Sequence, residues 1–319
     1  MNTTDAKAAI KEITDSCIGI KIYFVDKSNQ IYDSDVDDKL LADYRDDFVD
    51  ALTRSYSNNE NFTCPALSQE DGRNHALYHF DFDDEDKPFE FSFLDTVNNL
   101  RADEPLDTYP ARDAGLGKLR GYIIRLRNTD GKVMSFFQYI HHSYIATPGK
   151  TIFLTTHESR VVRLTHDVLR LGNRFVFAKI GDDYLIENVN ALEKEFGFDK
   201  IIHSKAVQYC ATIEDKAIVK DLTKFKDQMN NDTSFARKLV KVCKGSAVIE
   251  KEIANDTIIQ FAMSKVYYKE KLKLTEDESQ FDLGSINRCR HFLTLLDDEF
   301  VKSELTQQEY ISKAKDRAS

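Results

Sequence analysis

The residues able to do chemistry are few, and most of them are cations. Of eight histidines, only His141 and His142 are adjacent, and neighbours on a strand point to opposite faces, so they do not share a metal. His157 and His166 have no acidic or cysteine neighbour at zinc-site spacing. Surface or sheet-edge histidines are the simpler reading. One tripeptide, Glu214-Asp215-Lys216 with Asp199 upstream, fits a metal-dependent nuclease. That chemistry needs the acids and the lysine on neighbouring strands, where they hold a divalent cation and a water. The local pattern is helical instead, which sends Glu214 and Lys216 to different sides, so an exposed helix turn is the better reading. Gly115-Leu116-Gly117-Lys118 lacks the remaining positions of a phosphate loop, and no G-x-S-x-G elbow occurs. The residues therefore assign no catalytic group, no metal and no cofactor.

Arginine is what remains. The stretch LRGYIIRLRNTDGKVMSFFQYIHH, residues 119–142, holds Arg120, Arg125, Arg127 and Lys132 in a chain whose net charge is -10. On a strand, residues 123, 125 and 127 share a face, so Arg125 and Arg127 project together while Tyr122, Ile124 and Leu126 project oppositely. Downstream, Arg160, Arg163, Arg170 and Arg174 recur at spacings of three, seven and four. If that segment is helical, all four lie near one side, opposite a stripe of Val161, Leu164, Val168 and Leu171. Residues 1–100 hold 9 Lys/Arg against 22 Asp/Glu, residues 101–180 hold 13 against 7, and the rest holds 22 against 25. A basic middle is thus hidden inside an acidic chain, and arginine dominates it, as suits bidentate phosphate contacts and structural ion pairs alike. Two readings stay open: nucleic-acid binding by these eight residues, or an internal interface with the acids of the first hundred.

These cations need elements to position them. Residues 4–16 have the apolar stripe of a short helix, IGIKIYFV and QIYDSDV look like strands around a DKSN turn, and apolar positions 41, 44, 48, 49 and 52 predict an amphipathic helix. HALYHFDF and FEFSFLDTV look like strands. Residues 100–118, with two prolines and two glycines, are the expected irregular connector. GYIIRLRN and KVMSFFQYIHH follow as a hairpin turning at Asp130-Gly131, then KTIFLTT as a third strand. RFVFAKIG and DYLIENV form another pair around Gly181-Asp182-Asp183. A helix then starts with Asn190 as N-cap and Glu193 in capping-box position. From 204 the pattern is largely helical, with 258–268 open between helix and strand and 287–305 a further helix. The class is α+β, with an N-terminal mixed unit, a central antiparallel sheet and a largely helical C-terminal half. The expected domains are an acidic α+β unit at 1–100, and residues 101–319 with the basic sheet and the helical part.

At 41% hydrophobic residues and 319 residues in length, the chain can bury a sizeable core. No apolar run approaches bilayer length, and the N-terminal fifteen residues carry acids and no apolar centre, unlike a signal peptide. Five widely spaced cysteines, an odd number without a C-x-x-C pair, argue for a reducing compartment and a cytoplasmic protein.

The stretch RFVFAKIGDDYLIENVNALEKEFGFDKIIHSK at 174–205 and the later LTLLDDEFVKSELTQQEY at 293–310 resemble the KwaB family, the cytosolic side of the bacterial Kiwa anti-phage defence system. The resemblance extends over about 100–319 and rests on packing motifs. It implies a self-associating, DNA-binding effector, a dimer or higher homo-oligomer. Such an effector restrains phage replication or late transcription and is recruited to the inner membrane by a membrane-embedded partner subunit. It transfers no site residue, so the eight cations rest on charge geometry alone. A nuclease, or a scaffold docking on an acidic partner or a membrane surface, stand as the alternatives.

Overall fold

The computed structural model describes residues 1–100, 105–148, 152–157 and 159–312. Residues 101–104 of the expected connector, and Lys150 and Thr151 of the expected third strand, lie outside them. The chain is α+β and divides into two compact units. The first comprises Met1–Pro65, His75–Phe80 and Lys87–Phe196, and the second Ala66–Asn74, Asp81–Asp86 and Gly197–Ser319.

In chain order the first unit holds helix α1 (Thr3–Asp15), strands β1 (Cys17–Asp26) and β2 (Ile31–Asp33), helix α2 (Asp38–Leu52) and strand β3 (Tyr78–His79). Helices α3 (Phe91–Asn98) and α4 (Ala111–Ala114) follow, then strands β4 (Leu119–Asn128), β5 (Val133–Tyr139), β6 (Ile145–Ala146), β7 (Leu154–His157), β8 (Arg160–Arg163) and β9 (Val168–Leu169). Strands β10 (Phe177–Ile180) and β11 (Asp183–Ile186) and helix α5 (Val189–Phe196) complete it. The seven-stranded sheet runs β2-β1-β4-β5-β10-β11-β3, with every neighbouring pair antiparallel. β6 with β9, and β7 with β8, make separate two-stranded sheets.

Both faces of the large sheet are covered, which is why Tyr122, Ile123 and Ile124 are all buried where simple alternation would expose one of them. On one face Ile22, Phe24, Tyr122, Ile124, Leu126 and Phe136 pack with Ala6, Ile10 and Ile13 of α1 and with Tyr44, Phe48 and Leu52 of α2. On the other, Phe137 and Phe177 meet Phe93 and Phe91 of α3 at ring distances of 5.7 and 4.9 Å, and Phe137 meets Phe196 of α5 at 5.6 Å. Helix α1 starts where Asn2 accepts from the Asp5 N–H at 2.9 Å, and α2 where Asp37 accepts from Lys39 and Leu40.

Several local expectations change. FEFSFLDTV is a helix: its alternating phenylalanines mimic a strand, but Leu94 and Val97 extend a buried stripe at helical spacing over the sheet. HALYHFDF supplies only the two-residue β3. The arginine-rich 160–174 segment is not helical. β-branched Thr155, Thr156, Val161 and Val162 favour a ribbon, which turns at Ser159 with φ +64°. Helix α5 begins earlier than expected, with Asn188 accepting from the Ala191 N–H at 3.0 Å in place of Asn190.

The second unit holds helices α6 (Phe198–Asp215), α7 (Thr223–Asn231), α8 (Thr233–Gly245), α9 (Ala247–Glu250), α10 (Asn255–Ser264), α11 (Val266–Lys271) and α12 (Ile286–Leu296), then the hairpin β12 (Phe300–Lys302) and β13 (Glu309–Ile311). Residues 258–268, open in the sequence, are thus helical on either side of an extended Lys265. Ile202, Ala206, Cys210 and Ile213 of α6, Phe235 and Leu239 of α8, and Phe292 and Leu293 of α12 are buried here. Lys205, its side chain 9% exposed, is held by Asp83 at 3.0 Å and Asp86 at 2.8 Å.

Candidate nucleic-acid interface

Strand β4 carries three of the eight predicted cations into three different environments. Arg120 is committed to the fold: its guanidinium pairs with Glu90, bonds the Asn29 side chain, and lies over Phe196 at 5.3 Å and Phe93 at 5.9 Å. Arg125 is half-buried, and its Nε has no hydrogen-bond partner. It sits beside the Tyr23 phenol, which burial pushes up while Arg125 acts in the opposite direction. Arg127 is exposed. No carboxylate pairs with Arg125 or Arg127 among the described residues.

The other predicted cations also divide. Lys132 is bonded to Glu12 of α1 at 2.5 Å, and Arg174 to Glu187 at 2.7 Å. Glu187 is 8% exposed, and it also accepts from the Phe175 N–H at 2.8 Å and the Tyr56 hydroxyl at 2.9 Å. Burial pushes its carboxyl up against the pull of those partners. Arg170 is exposed and stacks over Tyr144 at 5.7 Å. Arg160 and Arg163 lie on β8, all of it exposed, three residues apart and therefore on opposite faces of the ribbon. Arg163 is engaged within the chain. The structure thus does not gather Arg160, Arg163, Arg170 and Arg174 on one helix side.

One cation was missed. In the antiparallel register Lys21 of β1 stands directly opposite Arg125, and Gly19 opposite Arg127. Directly opposed residues share a face, so Lys21, Arg125 and Arg127 form a three-cation strip about 5–7 Å apart. Lys21 is exposed and has no ion-pair partner among the described residues. Gly19 presents no side chain over Arg127, and the space where its Cβ would stand is empty to 4 Å. Farther along the same face the row continues as Ser135 and Lys179. There Asn98 and Asp95 of α3 take them up, so the open end is the β1–β4 side.

The nuclease residues do not converge. Glu214 is in the last turn of α6 and pairs with Lys226, and Lys216, just past it, donates to the Ile253 carbonyl at 3.4 Å. Asp199 is at the other end of the same helix, roughly 22 Å away along its axis. Among the described residues no group of three or more His, Cys, Asp or Glu is placed to hold a metal ion. His141 and His142 fall just beyond β5, not within it. Their rings approach to 3.8 Å, and His141 Nδ1 accepts from the Ser143 N–H at 3.4 Å. No helix among the described residues is long and apolar enough to cross a membrane.

No solved structure matches the chain. In sequence it is similar to the Kiwa protein KwaB of Escherichia coli O55:H7 (strain RM12579 / EPEC), 28% identical over 324 aligned residues that cover 99% of each chain. Residues 116–306, from just before β4 into the helical unit and its last hairpin, match the family described as Kiwa protein KwaB-like. The chain belongs to the KwaB-like family of Kiwa proteins.

Proposed function

We propose that this protein serves anti-phage defence as a DNA-binding effector that grips phosphates with the Lys21–Arg125–Arg127 strip. Family membership carries the defence role, and the three cations left without a carboxylate on one sheet face carry the DNA reading. A buried or half-buried cation ordinarily has an acid beside it, as Arg120 has Glu90, and even the exposed Lys132 and Arg174 pair with Glu12 and Glu187. In the strip the half-buried Arg125 and the exposed Lys21 and Arg127 have no such acid among the described residues, although the first hundred residues offer 22 acids. Its charge is available to a polyanion.

Phosphate contacts position DNA without reading its sequence, and they release counterions, so affinity falls steeply with salt. Arg163 on β8 and Arg170 just past β9 extend the contact within the same unit. Binding of this kind obstructs replication or late transcription by occupancy alone and needs no catalytic group. Self-association adds avidity, and a membrane-embedded partner subunit recruits the cytoplasmic protein to the inner membrane, as its family resemblance implies.

The test is a DNA titration at several salt concentrations with the full chain and Arg125→Glu/Arg127→Glu. We expect the double variant to fold, because neither side chain has an acidic partner to lose, and to lose most of its affinity. Arg127→Ala alone should make the salt slope shallower by about 0.9. A folded double variant that binds DNA like the parent removes the strip from the interface.

A further inference from the structure

β7 and β8 pair with each other and with no other strand. Their register sets Leu154 opposite Arg163, Thr155 opposite Val162, Thr156 opposite Val161 and His157 opposite Arg160. Leu154, Thr156, Val161 and Arg163 therefore share one side of the ribbon, and Thr155, Val162 and Arg160 the other. Leu154 and Val161 are each 68% exposed, and Val162 is 37% exposed. All four residues of β8, and Leu154, Thr155 and Thr156 of β7, are exposed.

We propose that this ribbon enters the major groove of duplex DNA, with Thr155, Arg160 and Val162 turned to the base edges. The inference rests on the DNA-binding reading above and adds to it a form of nucleic acid and a way of reading it. Two strands about 4.8 Å apart fit a groove about 12 Å wide, which accepts a two-stranded ribbon. Arg160 is exposed and has no ion-pair partner among the described residues, and its guanidinium suits the paired acceptors of guanine. The methyl groups of Val162 and Thr155 suit the thymine methyl. A phosphate grip alone gives exposed aliphatic residues no task. An anionic lipid surface would use them, but among the described residues neither outer edge of the ribbon pairs with another strand, and hydrocarbon leaves such backbone groups unsatisfied. A groove keeps those edges against water and phosphate.

The experiment titrates the full-length protein with a mixed-sequence duplex and with a single strand of equal length, at several salt concentrations. Arg160 is exposed on β8, so Arg160→Ala preserves the fold. We expect it to weaken duplex binding roughly 5- to 150-fold, to leave single-strand binding unchanged and to keep the salt slope, because a base contact releases no phosphate counterion. Replacing thymine by uracil in the duplex should weaken the parent and leave Val162→Ser indifferent. Unchanged duplex affinity in Arg160→Ala, or a slope shallower by about 0.9, overturns the groove reading while the strip still holds DNA. Absence of any DNA binding by the parent overturns both. If anionic vesicles bind the parent and not Leu154→Asn/Val161→Asn, with DNA binding unchanged, the ribbon belongs to a lipid surface and the proposal fails.

Discussion

Arg120 and Arg127 stand seven residues apart on one strand, and their surroundings demand opposite consequences when each is cut back to alanine. Arg120 is 18% exposed and its partner Glu90 9%. Removing the guanidinium leaves a carboxylate nearly out of water with no countercharge, and it uncovers the rings of Phe93 and Phe196. Breaking a buried ion pair from one side costs about 3–5 kcal/mol. The residual exposure of both groups brings this to about 2–4 kcal/mol, with the ring contacts, about 0.5–1 kcal/mol each, inside that range. In a unit of this size the melting point should fall by about 4–15 °C. Arg127→Ala removes an exposed group and should stay within about 0.5 kcal/mol of the parent. The assay is thermal and urea unfolding of the full chain, following the transition of the sheet unit separately because two units need not melt together. Arg120→Met/Glu90→Leu should recover most of the loss, since it removes the stranded charge instead of exposing it. An Arg120→Ala protein as stable as the parent, or an Arg127→Ala protein equally weakened, would refute the division of these cations into structural and available.

Two further outcomes test the sheet itself. At Gly121 an added Cβ would stand 2.5 Å from the Phe137 ring and 2.8 Å from the Gln138 carbonyl oxygen, so Gly121→Ala should cost about 1–3 kcal/mol in urea unfolding; no change would mean that β5 yields. Glu187 has a folded-state pKa raised by burial, so its contribution is greatest below the ordinary carboxylate range and is lost as pH rises through the raised value. The stability of the parent relative to Glu187→Gln should therefore grow on acidification from neutral pH, read as melting points across that range, and a constant difference would contradict the burial assignment.

Spacing along a strand was legible in the sequence; pairing across strands was not. The parity of GYIIRLRN placed Arg125 and Arg127 away from Tyr122, Ile124 and Leu126, and the structure keeps that arrangement. Parity alone did not show that Ile123, on the arginine side, is fully buried while Arg127 four residues on faces water. Helix α3 covers part of that face, and FEFSFLDTV hid the helix behind alternating phenylalanines. Nor did local spacing distinguish Lys132, neutralised by Glu12 from 120 residues earlier, from Lys21, which joins Arg125 from 104 positions earlier through the β1–β4 register. Both depend on β1 and α1 meeting the basic strands, a long-range pairing that leaves no periodic mark. The acidic first hundred residues and the basic middle were open to two exclusive readings, an internal interface or a polyanion site. Residue by residue they divide: acids of α1 and of the approach to α3 neutralise Lys132 and Arg120. β1 brings a lysine and a glycine, no acid, to the positions opposite Arg125 and Arg127. An acidic segment that supplies neutral and cationic residues at that one place keeps the strip positive, and this pairing, more than the arginine count, argues that its charge is meant for a ligand.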